Sequence, residues 1–125
     1  MSQKSGTVLI VDDDAAVRSS LKFSLELEGL DVRVYESSAA FLADPDLPLR
    51  SCLVVDYRMP EMDGMELVEN LRARHNALPA ILITGRATKA LRLRAEKAGV
   101  QHVLEKPLAG GALAASIRAA LGSCH

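Results

Sequence analysis

The chain lacks the features that mark several protein classes. It has two cysteines, Cys52 and Cys124, which form neither a disulfide framework nor a paired-cysteine zinc site. Cys52 sits in an apolar run and reads as a small buried residue. Cys124 is next to the last residue, where chains fray. This usage fits a reduced, cytoplasmic setting. There is no excess charge of one sign: 15 Lys and Arg against 16 Asp and Glu leave a net charge of −1. The molecule as a whole therefore has no field that would draw it to nucleic acid or a membrane. No apolar run approaches the roughly 20 residues needed to span a bilayer. Met1–Gly6 is polar and lacks the hydrophobic core of a secretion signal. No Gly- or Ser/Thr-rich phosphate loop follows the first apolar run, which argues against a nucleotide binder.

What is present suits one soluble globular domain. The 125 residues, 49% apolar and 25% charged, suffice for a single core. They read as a single domain over 1–125, with an ordered core over about 7–121 and no output domain. Short β-rich runs alternate with helical stretches. Thr7–Val11 is a continuous apolar run, as a strand buried on both faces requires. Asp14 to Glu28 has helical spacing, with Val17, Leu21 and Leu25 on one stripe and Gly29 as a stop. Asp31–Tyr35 alternates and reads as a more exposed strand. Ser37 or Ser38 is placed to cap a short helix that contains Phe41 and Leu42 and ends near Pro45. Cys52–Val55 is the third strand. Gly64 precedes a helix to about Arg74, with Leu67, Val68 and Leu71 inward. Ala80–Ile83 is the fourth strand, Ala87–Ala98 the fourth helix, His102–Leu104 the fifth strand and Ala109–Leu121 the last helix. Strict β–α alternation predicts an α/β, doubly wound parallel sheet with helices on both faces.

In such folds ligands gather at the carboxyl ends of the strands. Asp12, Asp13 and Asp14 follow strand one, and Asp56 follows strand three. Thr84 follows strand four, and Lys106 and Pro107 follow strand five. Converging carboxylates repel unless a cation sits among them. A hard, oxygen-seeking ion such as Mg²⁺ meets that need. Lys106 adds a positive charge, and Thr84 adds a hydroxyl that can donate to a phosphoryl oxygen. Taken singly, each residue has an ordinary reading. Asp14 suits a helix cap, Thr84 a turn and Lys106 a solvated loop. Asp56 is harder to explain away, because a buried acid needs compensation. The chemical reading rests on the set.

These segments, VLIVDDD, LVVDYRMPEMDG, ILITG and VLEKP, resemble the receiver domain of two-component response regulators. The resemblance runs from about Thr7 to Leu121. The RMP and ITG segments are most similar to receivers of FixJ/NarL-type regulators, which carry a helix-turn-helix output domain. The resemblance implies a CheY-like, flavodoxin-like fold with strand order 2-1-3-4-5. It implies that Asp56 accepts a phosphoryl group from a histidine kinase, a phosphotransfer protein or a small phosphodonor. Asp13, Asp56 and the main-chain carbonyl of Arg58 would bind Mg²⁺ directly, with Asp12 acting largely through water. Lys106 would contact the phosphoryl group and Thr84 would move towards it. The Lys106–Pro107 bond is commonly cis in such domains. The catalysis implied is limited to the domain's own phosphorylation and dephosphorylation, by positioning and charge neutralisation.

Some positions depart from that pattern. Receivers usually carry Tyr or Phe where this chain has Val103, and that aromatic swings inward on phosphorylation. Valine has one stiff torsion and less area to move. Arg58 and Arg86 lie two residues beyond Asp56 and Thr84, at positions that tune phosphoryl lifetime in the family. The fourth helix is basic, with Leu93 opposite its core positions Ala87, Leu91, Ala95 and Ala98. Leu93, Ala90 and Val103 form one candidate partner face. The last helix buries Leu113, Ile117 and Leu121 and shows small residues on its other side. It lacks the acids that charged pairing between helices four and five requires. A homodimer would therefore use helix five, with helix one beside it. Other partners expected are an output domain or a target protein, with no direct nucleic acid binding. The alternative function is a phosphorylation-independent interaction module, whose usual sign is a lost Asp or Lys. An aspartyl-phosphate hydrolase would need a second Asp where Arg58 stands.

Overall fold

A computed structural model of the protein describes residues 6–108 and 111–122. Ten elements alternate: β1 (Thr7–Val11), α1 (Ala15–Leu27), β2 (Asp31–Tyr35), α2 (Ser38–Leu42), β3 (Ser51–Asp56), α3 (Gly64–Ala73), β4 (Ala80–Thr84), α4 (Lys89–Lys97), β5 (His102–Glu105) and α5 (Ala112–Gly122). The five strands form one parallel sheet in the order β2-β1-β3-β4-β5, as expected. No helix among the described residues is long and apolar enough to cross a membrane. The expected start of the last helix at Ala109, together with Met1–Ser5 and Cys124, lies outside the described residues.

Strand periodicity divides the core into two layers. Successive side chains on a strand point to opposite faces. Val8, Ile10, Cys52, Val54, Ile81 and Ile83 pack with Leu25 of α1 and Leu113, Ile117 and Leu121 of α5. Leu9, Val11, Leu53, Val55, Ala80 and Leu82 pack with α2, α3 and α4, through Phe41, Met65, Leu67, Val68, Leu71, Leu91 and Ala95. Each fully buried Leu, Ile, Val, Phe or Met contributes about 1.5–3 kcal/mol of transfer free energy, so the central strands anchor both layers. Val17 and Leu21 of α1 are only half-buried, as is Ala98, and Ala87 lies ahead of α4.

The strands at the two edges are different. On β2, Asp31, Arg33 and Val34 are exposed. Arg33 Nη1 donates to the carbonyl of Asp46 at 2.9 Å, and the Tyr35 hydroxyl donates to Asp44 at 2.6 Å. At the other edge, β5 has four residues.

Helices α1 to α4 each begin on a side-chain cap. Asp14, Ser37, Asp63 and Thr88 accept from backbone N–H groups in the first turns of α1, α2, α3 and α4. Such caps satisfy donors that the helix itself leaves orphaned. The cap of α2 is thus Ser37 rather than Ser38. The Ser38 hydroxyl instead donates to the carbonyl of Met62 at 3.1 Å. Asp63 and Glu66 form a reciprocal capping box, so α3 starts at Gly64 itself. Helix α4 starts two residues later than its hydrophobic spacing suggests, because Thr88 caps it and 85–87 form an irregular link.

Candidate functional site

The carboxyl ends of β1, β3, β4 and β5 meet at one rim. Asp12 directly follows β1 and is 5% exposed. Its main chain is fixed on two sides: its N–H donates to the carbonyl of Tyr35 at 3.2 Å, and Arg18 Nη1 donates to its carbonyl at 2.8 Å. Its carboxylate accepts the N–H of Asp14 at 2.9 Å. Asp13 is exposed. Asp14 is turned away as the α1 cap, accepting from Ala16 N at 2.9 Å and Val17 N at 3.2 Å. The bland reading therefore holds for Asp14.

Asp56 is the last residue of β3 rather than the one after it, and it is 7% exposed. Lys106 Nζ lies 2.8 Å from its Oδ1. Ligand oxygens of Asp12, Asp13 and Asp56 all lie within 4.8 Å of one another. The fold thus brings together three of the acids that the sequence places at the strand ends. Burial raises the Asp12 pKa above the usual carboxylate value; the Asp14 N–H opposes that rise, and the charge of Asp56 adds to it. The Lys106 ammonium is held above its usual pKa, chiefly by its hydrogen bond to Asp56. Three crowded carboxylates facing one ammonium leave negative charge to be matched. The all-oxygen donor set fits a hard divalent cation such as Mg²⁺.

Thr84 is 3% exposed at the end of β4. Its Oγ1 lies 3.2 Å from both Arg86 N, which donates to it, and Arg86 O, which can accept from it. Its carbonyl accepts the N–H of Lys106 at 2.9 Å. The Lys106–Pro107 bond is cis. Arg58 is exposed and lines an open groove of about 480 Å³ with Tyr57, Met59, Pro60 and Asp63. Arg86 is exposed beside Thr84. Val103 is half-buried against the α2/α3/α4 layer, so it sits at the core edge. Leu93 is 49% exposed on α4.

Four supporting residues escaped sequence reasoning. Arg18 clamps the Asp12 carbonyl, and nothing in a linear sequence marks that bond. The Asp63–Glu66 box does have a sequence signature, an acid followed three positions later by Glu. Glu105 Oε2 accepts the N–H of Ala87 at 2.7 Å. That contact needs the β4/β5 register, which places Thr84 opposite Glu105.

Comparison with known proteins agrees with this fold. A family model for the response regulator receiver domain matches residues 8–118. The transcriptional regulatory protein FixJ of Azorhizobium caulinodans is 46% identical over 116 residues, covering 92% of this chain and 54% of that protein. The crystal structure of FixJ-N superposes with a TM-score of 0.87 at 38% identity, covering all of this chain and 98% of that one. Full-length FixJ from B. japonicum gives 0.87 at 37% identity, covering 97% of this chain and 60% of that one. The chain spans about half the length of the curated relatives it matches.

Proposed function

Because this chain belongs to the response regulator receiver domain family of two-component systems, we propose that it is a phosphorylation switch with Asp56 as the acceptor. One observation carries the reading. Asp56 sits at the end of a buried strand, paired with Lys106 at 2.8 Å and grouped with Asp12 and Asp13. The donor would be a phosphohistidine on a histidine kinase or a phosphotransfer protein. An Asp56 carboxylate oxygen attacks the phosphorus in line. An O–P bond forms, the N–P bond breaks, and the electron pair leaves with the imidazole. Lys106 stabilises the charge on the transferred group. The Thr84 hydroxyl leaves Arg86 and donates to a phosphoryl oxygen. Asp13, Asp56 and the Arg58 carbonyl, with Asp12 through water, would hold Mg²⁺, which would supply further positive charge to the transferred group. The protein's share is positioning and electrostatics, and it acts only on its own Asp56. Val103 leaves less side-chain area for relaying the change outward.

The switched output is a protein contact, either a homodimer or docking onto an output domain or target. A homodimer would use α5. Ala115 and Ala119 are exposed there, and the neighbouring α1 exposes Phe23 and Leu27. Intact-mass measurement after incubation with a small phosphodonor and Mg²⁺ tests the acceptor. One phosphoryl adduct is expected on the wild type and none on Asp56→Asn. An adduct retained by the variant, or absent from the wild type, overturns the assignment. The second outcome would favour a phosphorylation-independent interaction module.

Arg58 and Arg86 lie two residues beyond Asp56 and Thr84 on exposed loops, from which their side chains would hinder a hydrolytic water. A double Arg58→Ala, Arg86→Ala variant is expected to lose its phosphoryl group about threefold to tenfold faster, each tenfold corresponding to ~1.4 kcal/mol. The decay of the adduct, followed by mass over time, reports this directly.

A further inference from the structure

We infer that Glu105 is a positioning residue: its carboxylate holds the link after β4 in the unphosphorylated arrangement and opposes the advance of Thr84. The inference rests on the phosphorylation reading above and adds a control to it.

Residues 85–87 link Thr84, at the end of β4, to Thr88, the cap of α4. Two side chains hold this link. Thr84 Oγ1 pairs with the backbone of Arg86 at 3.2 Å, and Glu105 Oε2 accepts the N–H of Ala87 at 2.7 Å. Ala87 precedes the cap, so its N–H has no place in the helix ladder. Glu105 therefore satisfies a donor that the fold leaves over, with a charge-assisted bond that is stronger than a neutral one.

The next residue, Lys106, reaches the opposite target. Alternation along an extended chain sends neighbouring side chains to opposite sides. Glu105 goes to the link after Thr84, and Lys106 goes to Asp56. The end of β5 thus touches both the acceptor and the loop that must respond to it. When Thr84 turns towards a phosphoryl group it must give up Arg86. The Glu105 bond to the adjacent Ala87 then remains as the side-chain restraint on the link. Val103 is a small half-buried residue, so a rearrangement of this link is the larger movement available to β5.

Beryllofluoride, an acyl-phosphate mimic, is titrated with Mg²⁺ into the wild type, Glu105→Ala and Glu105→Gln, and amide resonances are followed by NMR. In the free protein, Glu105→Ala is expected to speed hydrogen exchange at Ala87. It is also expected to tighten beryllofluoride binding by about tenfold, the factor that corresponds to ~1.4 kcal/mol. Glu105→Gln keeps an acceptor oxygen and should stay within about threefold of the wild type. A merely structural role would weaken binding or leave it unchanged in Glu105→Ala, and either result overturns the inference. So does unaltered exchange at Ala87. A wild type that does not take up beryllofluoride overturns the phosphorylation reading, and with it the role given to Glu105.

Discussion

Gly64→Ala is expected to unfold about 8 °C below the wild type and to take up phosphoryl groups about tenfold more slowly. Gly64 is the first residue of α3, packed on the end of β3. A Cβ there would lie 2.6 Å from the Asp56 carbonyl oxygen, 3.1 Å from its carbon and 3.0 Å from Leu82 Cδ1. The tip of Leu82 can turn, but the Asp56 carbonyl is backbone. The next peptide is fixed from two directions: Gly64 N donates to the Tyr57 carbonyl at 2.9 Å, and Tyr57 N donates to Ile83 at 2.8 Å. Alanine's better helix propensity returns at most about 1 kcal/mol, against roughly 3 kcal/mol for overpacking. The net of about 2 kcal/mol, at about 4 °C per kcal/mol for a domain of this size, gives the expected shift. The kinetic loss follows because the same displacement moves Asp56, and positional errors near 1 Å are costly to catalysis. Thermal unfolding by circular dichroism and the adduct rate by mass are the two readouts. An unchanged midpoint would mean that α3 can slide without straining β3.

Asp12→Asn is expected to behave in the opposite way. In a chelator at pH 7 it should unfold a few degrees above the wild type, while losing most of the stabilisation that added Mg²⁺ gives. Asp12 is buried beside Asp56 and Asp13, and its pKa is raised mainly by that burial. A raised acid pKa means that the native state holds the proton more tightly than the unfolded chain. The group's contribution therefore turns unfavourable as pH rises from the usual carboxylate value through the raised one. Above the raised value that cost is fully present, and the neutral amide removes it. Asparagine keeps an oxygen for the Asp14 N–H, so the turn into α1 survives. A bound cation stabilises the native state in proportion to the logarithm of its concentration over its dissociation constant. The wild-type midpoint should thus climb with Mg²⁺ and the variant's should hardly move. Equal responses would place the ion elsewhere. Such a trade of stability for a working site is common where function requires crowded like charges.

The layer order and the rim were legible because both follow from periodicity. Apolar runs such as Thr7–Val11 and Ala80–Ile83 mark strands buried on both faces. Once the strands are placed, Asp12, Asp56, Thr84 and Lys106 fall at their carboxyl ends. The order of the strands came through the resemblance, since alternation alone allows several orders. Boundaries were less legible. Ala87 has the right spacing for α4, yet the chain spends 85–87 on an irregular link because Thr88 supplies the cap. Asp14 stood among the three acids after β1, and its carboxylate is found on Ala16 N and Val17 N as the cap of α1. Long-range supports such as Arg18 on Asp12 and Glu105 on Ala87 depend on three-dimensional register, which local pattern does not carry. The same holds for Arg94, which makes two bonds of 2.8 and 2.7 Å to Glu69 and stitches α4 to α3.

The two sheet edges have a consequence for crowding. An open edge strand offers unpaired N–H and C=O groups to any other chain that can lie alongside it. Here one edge is charged, with Asp31 and Arg33 exposed and Arg33 and Tyr35 tied to Asp44 and Asp46. The other edge is only four residues long. Both are poor templates for an added strand, so the sheet is protected against growing from chain to chain. A domain built this way is a poor partner for strand-to-strand association even when copies are crowded together.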